Sequence, residues 1–215
     1  MKKFFIFIIL FFISSLNITL ADIVPDFSYS IHKPGIGILN LPNNFVIYQH
    51  PDFKSKVIKS FDINLLQQQN DFRYSLRDTF IASIPNKNLN FVTVNYEDGS
   101  SWFEIFYDQK LAKTGWVFID QKNFFTWKQF FDSFGRKYGL YLFRDLNSSQ
   151  KQLYSSADDS SSVLEGFTLA KHIKLLMIKG NFMLVNITDL NGDSKIGYLR
   201  FRSDNGSLFL FPFLK

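Results

Sequence analysis

The chain has 215 residues, with 24 basic against 19 acidic side chains, 27 phenylalanines and no cysteine. That length admits one large or two small domains, and the lack of a thiol excludes disulfides, thiolate chemistry and any lipid attached through cysteine. The positive charges are scattered singly, as at Lys54, Lys56, Lys59, Lys110 and Lys113, which is the pattern of a solvated surface and gives no case for a nucleic-acid partner.

The N-terminus reads as an export signal. Lys2 and Lys3 precede an apolar run from Phe4 to Ile13, and Thr19 and Ala21 supply small residues at the positions a signal peptidase needs. Residues 1–21 are therefore expected to be a cleaved signal peptide, because the run is shorter than the ~20 residues that span a bilayer. The expected product is periplasmic or extracellular, with no membrane attachment after cleavage. Loss of Lys2 and Lys3 leaves 22 basic residues against 19 acidic. With no disulfide, its stability rests on packed cores, to which each buried aromatic contributes ~150–250 Å² removed from water.

Residues 22–35 have little pattern and read as an extended lead-in. Pro34, Gly35 and Gly37 then break the chain before two strand-like runs, ILNLP and NNFVIYQHP, the second ended by the turn residues Pro51 and Asp52. Residues 63–90 are polar with intermittent apolar positions; a short helix and a strand, FIASIP, are expected there. FVTVNYEDGSSWFEIFY forms two strands around a tight turn at Asp98 and Gly99, and KTGWVFID is a further strand in which Trp116 and Phe118 share a side.

A helix follows over residues 122–137. Thr126 and Gln129 have capping-box spacing, Phe130, Phe131 and Phe134 form an apolar stripe, and Gly135 fits the position just past a helix end. So short a helix is marginal alone, so its stripe is expected to dock on its neighbours. YGLYLFRDL, KQLY, VLEGFTL, HIKLLMIKGNFMLVNI and KIGYLRF then read as strands, and a last strand, SLFLFPF, is assigned to a sheet edge by Pro212.

The second half of this walk restates the first. Tyr48, Asp52, Ser55 and Val57 are answered at one constant offset by Tyr154, Asp158, Ser161 and Val163; SWFEIFY is answered by NFMLVNI, and GWVFI by GYLRF. The offset falls between the earlier and later pairs, so the first copy carries roughly 26 extra residues, about 63–90. Short repeats rich in strand formers point to a mainly β protein of two tandem small β-barrels, over residues 36–121 and 138–215, joined by a short α-helix.

These positions resemble the bacterial SH3-like domain, SH3b. The first copy carries the resemblance on Tyr48, Pro51, Asp52, Ser55, Val57, Ile58, Trp102, Ile105, Gly115, Trp116 and Val117. The second carries it on Tyr154, Ala157, Asp158, Ser161, Val163, Leu164, Gly166, Phe182, Val185, Gly197, Tyr198 and Leu199. The resemblance implies two SH3-like barrels in an envelope-associated module that binds cell-wall peptidoglycan or another polymer. The second copy departs from it by placing Phe182 and Tyr198 where the first has tryptophans, so the two copies are expected to bind unequally.

Catalytic signatures are poor. His32, His50 and His172 lack metal-site spacing, and no GxSxG frame is present. Asp189, Asn191 and Asp193 alternate as in a calcium loop, but Ser194 and Arg200 stand where glycine and glutamate belong, so a hairpin turn is expected. Asp158 and Asp159 are adjacent in a serine-rich turn and suit a turn role better than paired acid–base chemistry. No cofactor and no metal is expected. The leading expectation is a non-enzymatic module that recognises a cell-wall peptide or glycan, or an envelope protein, through Tyr48, Tyr96, Trp102, Tyr107 and Trp116. The alternatives are a structural adaptor for another envelope protein, and a hydrolase whose site lies in the 63–90 insertion, at Asp71, Arg73 or Asp78.

Overall fold

The computed structural model describes residues 31–66, 76–166 and 172–214. The signal segment, most of the lead-in, and Asp71 and Arg73 lie outside the described residues. Among those that are described, no helix is long and apolar enough to cross a membrane.

The protein is mainly β, with two antiparallel sheets. The first contains β1 (Gly37–Asn40), β2 (Asn44–Tyr48), β3 (Val57–Asp62), β4 (Ala82–Ile84), β5 (Leu89–Glu97), β6 (Trp102–Asp108), β7 (Lys113–Phe118) and β8 (Phe124–Thr126). The second contains β9 (Leu140–Leu142), β10 (Gln152–Tyr154), β11 (Val163–Gly166), β12 (His172–Lys179), β13 (Phe182–Thr188), β14 (Ser194–Arg200) and β15 (Leu210–Pro212). Their spatial orders are β3-β2-β7-β6-β5-β1-β8 and β11-β10-β14-β13-β12-β9-β15, with β4 added to β5 in the first. Strand for strand these are one topology written twice, and in each the last strand returns to pair with the first. The expected linker 122–137 is thus divided, since Phe124–Thr126 belongs to the first sheet.

The irregularities repeat too. A register shift falls between Ile47 and Tyr48 and again between Leu153 and Tyr154; another falls between Val94 and Tyr96 and again between Leu175 and Met177. Each bulge bends its strand and re-aims the next side chain. The turns are wired alike: Asp52 Oδ1 accepts from the Lys54 N–H at 2.9 Å and Asp158 Oδ1 from the Ser160 N–H at 2.9 Å. Ser55 Oγ accepts from the His50 N–H at 3.0 Å, as Ser161 Oγ does from the Ser156 N–H at 3.4 Å. These aspartates and serines recur because the turn needs them.

Gly115 and Gly197 recur for a different reason, which is close approach. A Cβ on Gly115 would lie 2.5 Å from Ile47 Cγ2 and 3.1 Å from Ile58 Cδ1; on Gly197 it would meet Leu153 Cβ at 3.0 Å and Leu164 Cδ1 at 3.3 Å. Overpacking of this kind costs about 1–3 kcal/mol. Gly115→Ala is expected to lower stability by an amount in that range and Gly197→Ala by less, the order to be read from urea midpoints.

The first sheet covers a core of Leu39, Ile47, Phe61, Val92, Phe103 and Val117, among others. The described ends of the insertion complete it: Ile63, Leu76 and Phe80 are buried, and Phe80 meets Phe45 and Phe61 edge-on at 5.9 and 5.8 Å. Asn90, fully buried in β5, is satisfied by Ser83 Oγ at 2.6 Å, the Leu41 carbonyl at 3.1 Å and Asn43 Oδ1 at 2.8 Å, as a buried amide must be.

Successive strand residues face opposite ways, so while Leu39 and Val92 enter the first core, Ile38 and Phe91 enter a second one. That second core is common to both sheets. It gathers Ile38, Ala82 and Phe91 with Trp127, Phe130 and Phe131 and with Leu153, Val185, Leu199 and Phe211. Phe130 touches Phe91 at 5.1 Å on one side and Phe211 at 5.4 Å on the other, and Trp127 Nε1 donates to the Pro34 carbonyl at 3.0 Å.

The helix starts as its sequence announces, with a reciprocal capping box between Thr126 and Gln129. Its end differs. Trp127–Phe130 continues through a π-helical stretch, Phe131–Gly135, and a final turn, Arg136–Tyr138, to Gly139 at φ 85°. Gly135 is helical rather than terminal. Its missing Cβ admits Leu140, whose Cδ2 would lie 2.8 Å away, so packing accounts for this glycine and chain reversal accounts for Gly139.

Candidate functional site

Directly opposed residues on antiparallel strands project to the same face. Tyr48 opposes Trp116, Trp116 opposes Glu104, and Glu104 opposes Tyr96, while Trp102 opposes Phe118. Four of the five expected site residues, Tyr48, Tyr96, Trp102 and Trp116, therefore share the outer face of the first sheet. Tyr107 does not: it lies in the other alternation phase of β6 with Phe103 and Ile105 and packs against the first core.

On that outer face the rings divide into two groups. Tyr96 and Trp116 meet edge-on at 6.1 Å. The larger group is a platform made of Tyr48, Phe53, Trp102 and Phe118. Trp102 is its base, only 8 % exposed, with centroids 4.9 Å from Phe53, 5.3 Å from Phe118 and 5.5 Å from Tyr48. Phe53 and Phe118 are 5.0 Å apart and form its surface, 61 % and 48 % exposed. Two large apolar rings held in water against a buried tryptophan lose contact area that an interior site would give them, which makes this cluster the candidate site of the first sheet.

Phe53 escapes a reading of strand patterns because it belongs to the 50–55 turn, whereas Phe118 shares a strand side with Trp116. The repeat itself carries the missing signal. Phe53 corresponds by offset to Asp159, and Phe118, opposite Trp102, corresponds to Arg200, opposite Phe182. In the second sheet Tyr154 and Phe182 keep their contact at 5.8 Å, but Arg200 lies over the Phe182 ring at 5.8 Å and pairs with Asp159 and Asp204. Where the first copy presents aromatic surface, the second closes it with an ion-paired guanidinium.

The platform runs into a cleft of about 390 Å³ at the edge of the same face. Phe118 forms one wall, and Asn40, Asn43, Asn88, Asn123 and Asp120 also line it. Asn40 and Asn43 are fixed from behind: Asn40 Oδ1 accepts from the Asn90 N–H at 2.8 Å, and Asn43 donates to Asn64 Oδ1 at 3.2 Å. Asp120 accepts from the Lys122 N–H at 3.0 Å and pairs with its ammonium at 2.9 Å.

The Lys122 ammonium holds the Asp120 carboxyl below the usual carboxylate range, the Ser100 hydroxyl does the same for Asp98, and the Ser160 N–H for Asp158. A carboxylate whose folded pKa is depressed contributes support above its unfolded value, near 3.9, and loses it as the pH falls through the folded value. The 156–161 turn is thus expected to be indifferent to pH between 5 and 8. The Ser160 amide resonance should titrate with a midpoint below that of a free aspartate.

The remaining sequence candidates have structural places. Asp78 is exposed, and its carbonyl accepts from the Gln109 N–H at 2.7 Å. Asp189 Oδ1 accepts from the N–H groups of Asn191 at 2.8 Å and Asp193 at 3.0 Å, closing a hairpin turn. Among the described residues no three His, Asp or Glu side chains are grouped as metal ligands.

No protein family matches this chain, and no curated protein is similar to it in sequence.

Proposed function

We propose that this is an exported, non-enzymatic binding module of the cell envelope, built from two tandem SH3-like barrels, and that it recognises a cell-wall polymer through the aromatic platform of the first. The twice-written strand order with matching bulges supports the tandem reading. The observation that carries the binding assignment is the pair Phe53 and Phe118, kept exposed on Trp102 in one copy and replaced by the Asp159–Arg200 pair in the other. Shallow aromatic surfaces suit extended, preordered ligands, which lose little entropy on docking.

Co-sedimentation of the purified chain with insoluble cell wall tests this. Wild type is expected to pellet with the wall, and Phe118→Ala is expected to remain in the supernatant while keeping its far-UV circular dichroism. Release of soluble fragments from the wall would instead identify a hydrolase. Failure to pellet, with specific retention of one envelope protein, would identify an adaptor.

A further inference from the structure

We infer that the part of the ligand seated in the cleft beside Phe118 is an uncharged sugar ring, an inference that rests on the binding role proposed for the platform. The platform and the cleft offer two kinds of chemistry side by side. Phe53 and Phe118 are exposed and tilted against each other, and the negative face of an aromatic ring attracts the weakly positive C–H groups on the apolar side of a pyranose while burying that side from water. The cleft that begins at Phe118 then supplies, beside the apolar Leu41, Pro42 and Ile119, carboxamides and one carboxylate, which are the donors and acceptors that hydroxyl and acetamido groups need in order to replace water.

The state of those groups narrows the class. Asn40 and Asn43 are anchored by bonds to neighbouring residues, so they arrive preorganised and retain further hydrogen-bonding capacity. The side chains of Asn88 and Asn123 make no hydrogen bond to another described residue. Asn88 is held at φ 51° as the cap of the 85–87 turn, its N–H donating to the Pro85 carbonyl at 3.0 Å, which fixes its backbone at the cleft wall. No lysine or arginine lines the cleft, and its one carboxylate, Asp120, is already paired with Lys122, so the lining offers a phosphate or carboxylate ligand no positive partner. An extended apolar peptide would use the rings but leave the side chains of Asn88 and Asn123 desolvated without partners, a costly arrangement. A neutral sugar uses both.

The test is calorimetric titration of the full chain with a β-1,4-linked N-acetylglucosamine tetramer, with cellotetraose, and with a proline-rich decapeptide, alongside wall co-sedimentation of the same sample. Binding of either oligosaccharide, weakened at least tenfold by Phe118→Ala and about tenfold by Asn123→Ala with both variants retaining the wild-type melting profile, is the expected result. Wall binding with no response to either oligosaccharide, or a response to the decapeptide alone, overturns the sugar assignment and leaves the wall-binding role standing. Loss of both wall and sugar binding in folded wild-type protein overturns the two together. Oligosaccharide binding that Phe118→Ala and Asn123→Ala leave unchanged also overturns the assignment, because the ligand then sits elsewhere.

Discussion

Replacing Phe130 with alanine is expected to destabilise the whole molecule by about 3–5 kcal/mol, the cost of emptying a fully packed aromatic site. Phe130 is completely buried and is the ring on which the two sheets converge: Phe91 packs against it from the first, Phe211 from the second, and Phe134 at 4.9 Å from its own helix. Because the second core takes residues from both sheets, loss of this ring is expected to weaken both together. Urea unfolding followed by tryptophan fluorescence, which reports mostly on the first sheet, and by the circular dichroism of the whole chain should give coincident single transitions for wild type and variant. A variant in which the fluorescence transition keeps its wild-type midpoint would mean that the first sheet stands without the shared core.

The second large effect concerns binding and exploits the repeat. Exchanging Phe53→Asp with Phe118→Arg rewrites the first platform as the ion-paired surface of the second copy, and wall binding is expected to fall by roughly 30-fold, the loss of about 2 kcal/mol typical of a central aromatic contact. The fold should tolerate the exchange, since both phenylalanines are largely exposed and the second copy already supports such a pair between Asp159 and Arg200. The reciprocal exchange, Asp159→Phe with Arg200→Phe, is expected to place a second aromatic surface on the Phe182 base and to raise the number of wall-bound molecules that resist a salt wash. Unchanged binding in the first variant, with its melting temperature preserved, would remove the platform from the account.

Much of the architecture was legible in the sequence because the repeat was. Tyr48 and Tyr154 end equivalent strands, Asp52 and Asp158 close equivalent turns, and Gly115 and Gly197 sit where an equivalent pair of aliphatic side chains presses on the backbone. The capping box named the start of the helix correctly. Its end is not legible from the glycine alone, because a glycine can relieve crowding inside a helix as well as reverse the chain after it, and only the approach of Leu140 to Gly135 separates the two roles.

The site was half legible. Alternation along β6 already puts Trp102 and Tyr107 on opposite faces, so strand parity alone could have removed Tyr107 from the candidates. Phe53 was beyond that reasoning, since a turn residue has no parity and its partners, Trp102 and Phe118, come from strands far along the chain. The cleft was less accessible still: Asn40, Asn88 and Asn123 come together through pairing of distant strands, and an isolated asparagine in a turn carries no sign of what it will face.

A binding platform on the first sheet dictates where a wall ligand touches this protein. Soluble fragments prepared from cell wall, titrated into isotopically labelled protein, are expected to shift the ring and indole resonances of Tyr48, Phe53, Trp102 and Phe118, and to leave those of Tyr154 and Phe182 unmoved. Shifts confined to the second sheet, or equal in the two copies, would contradict it.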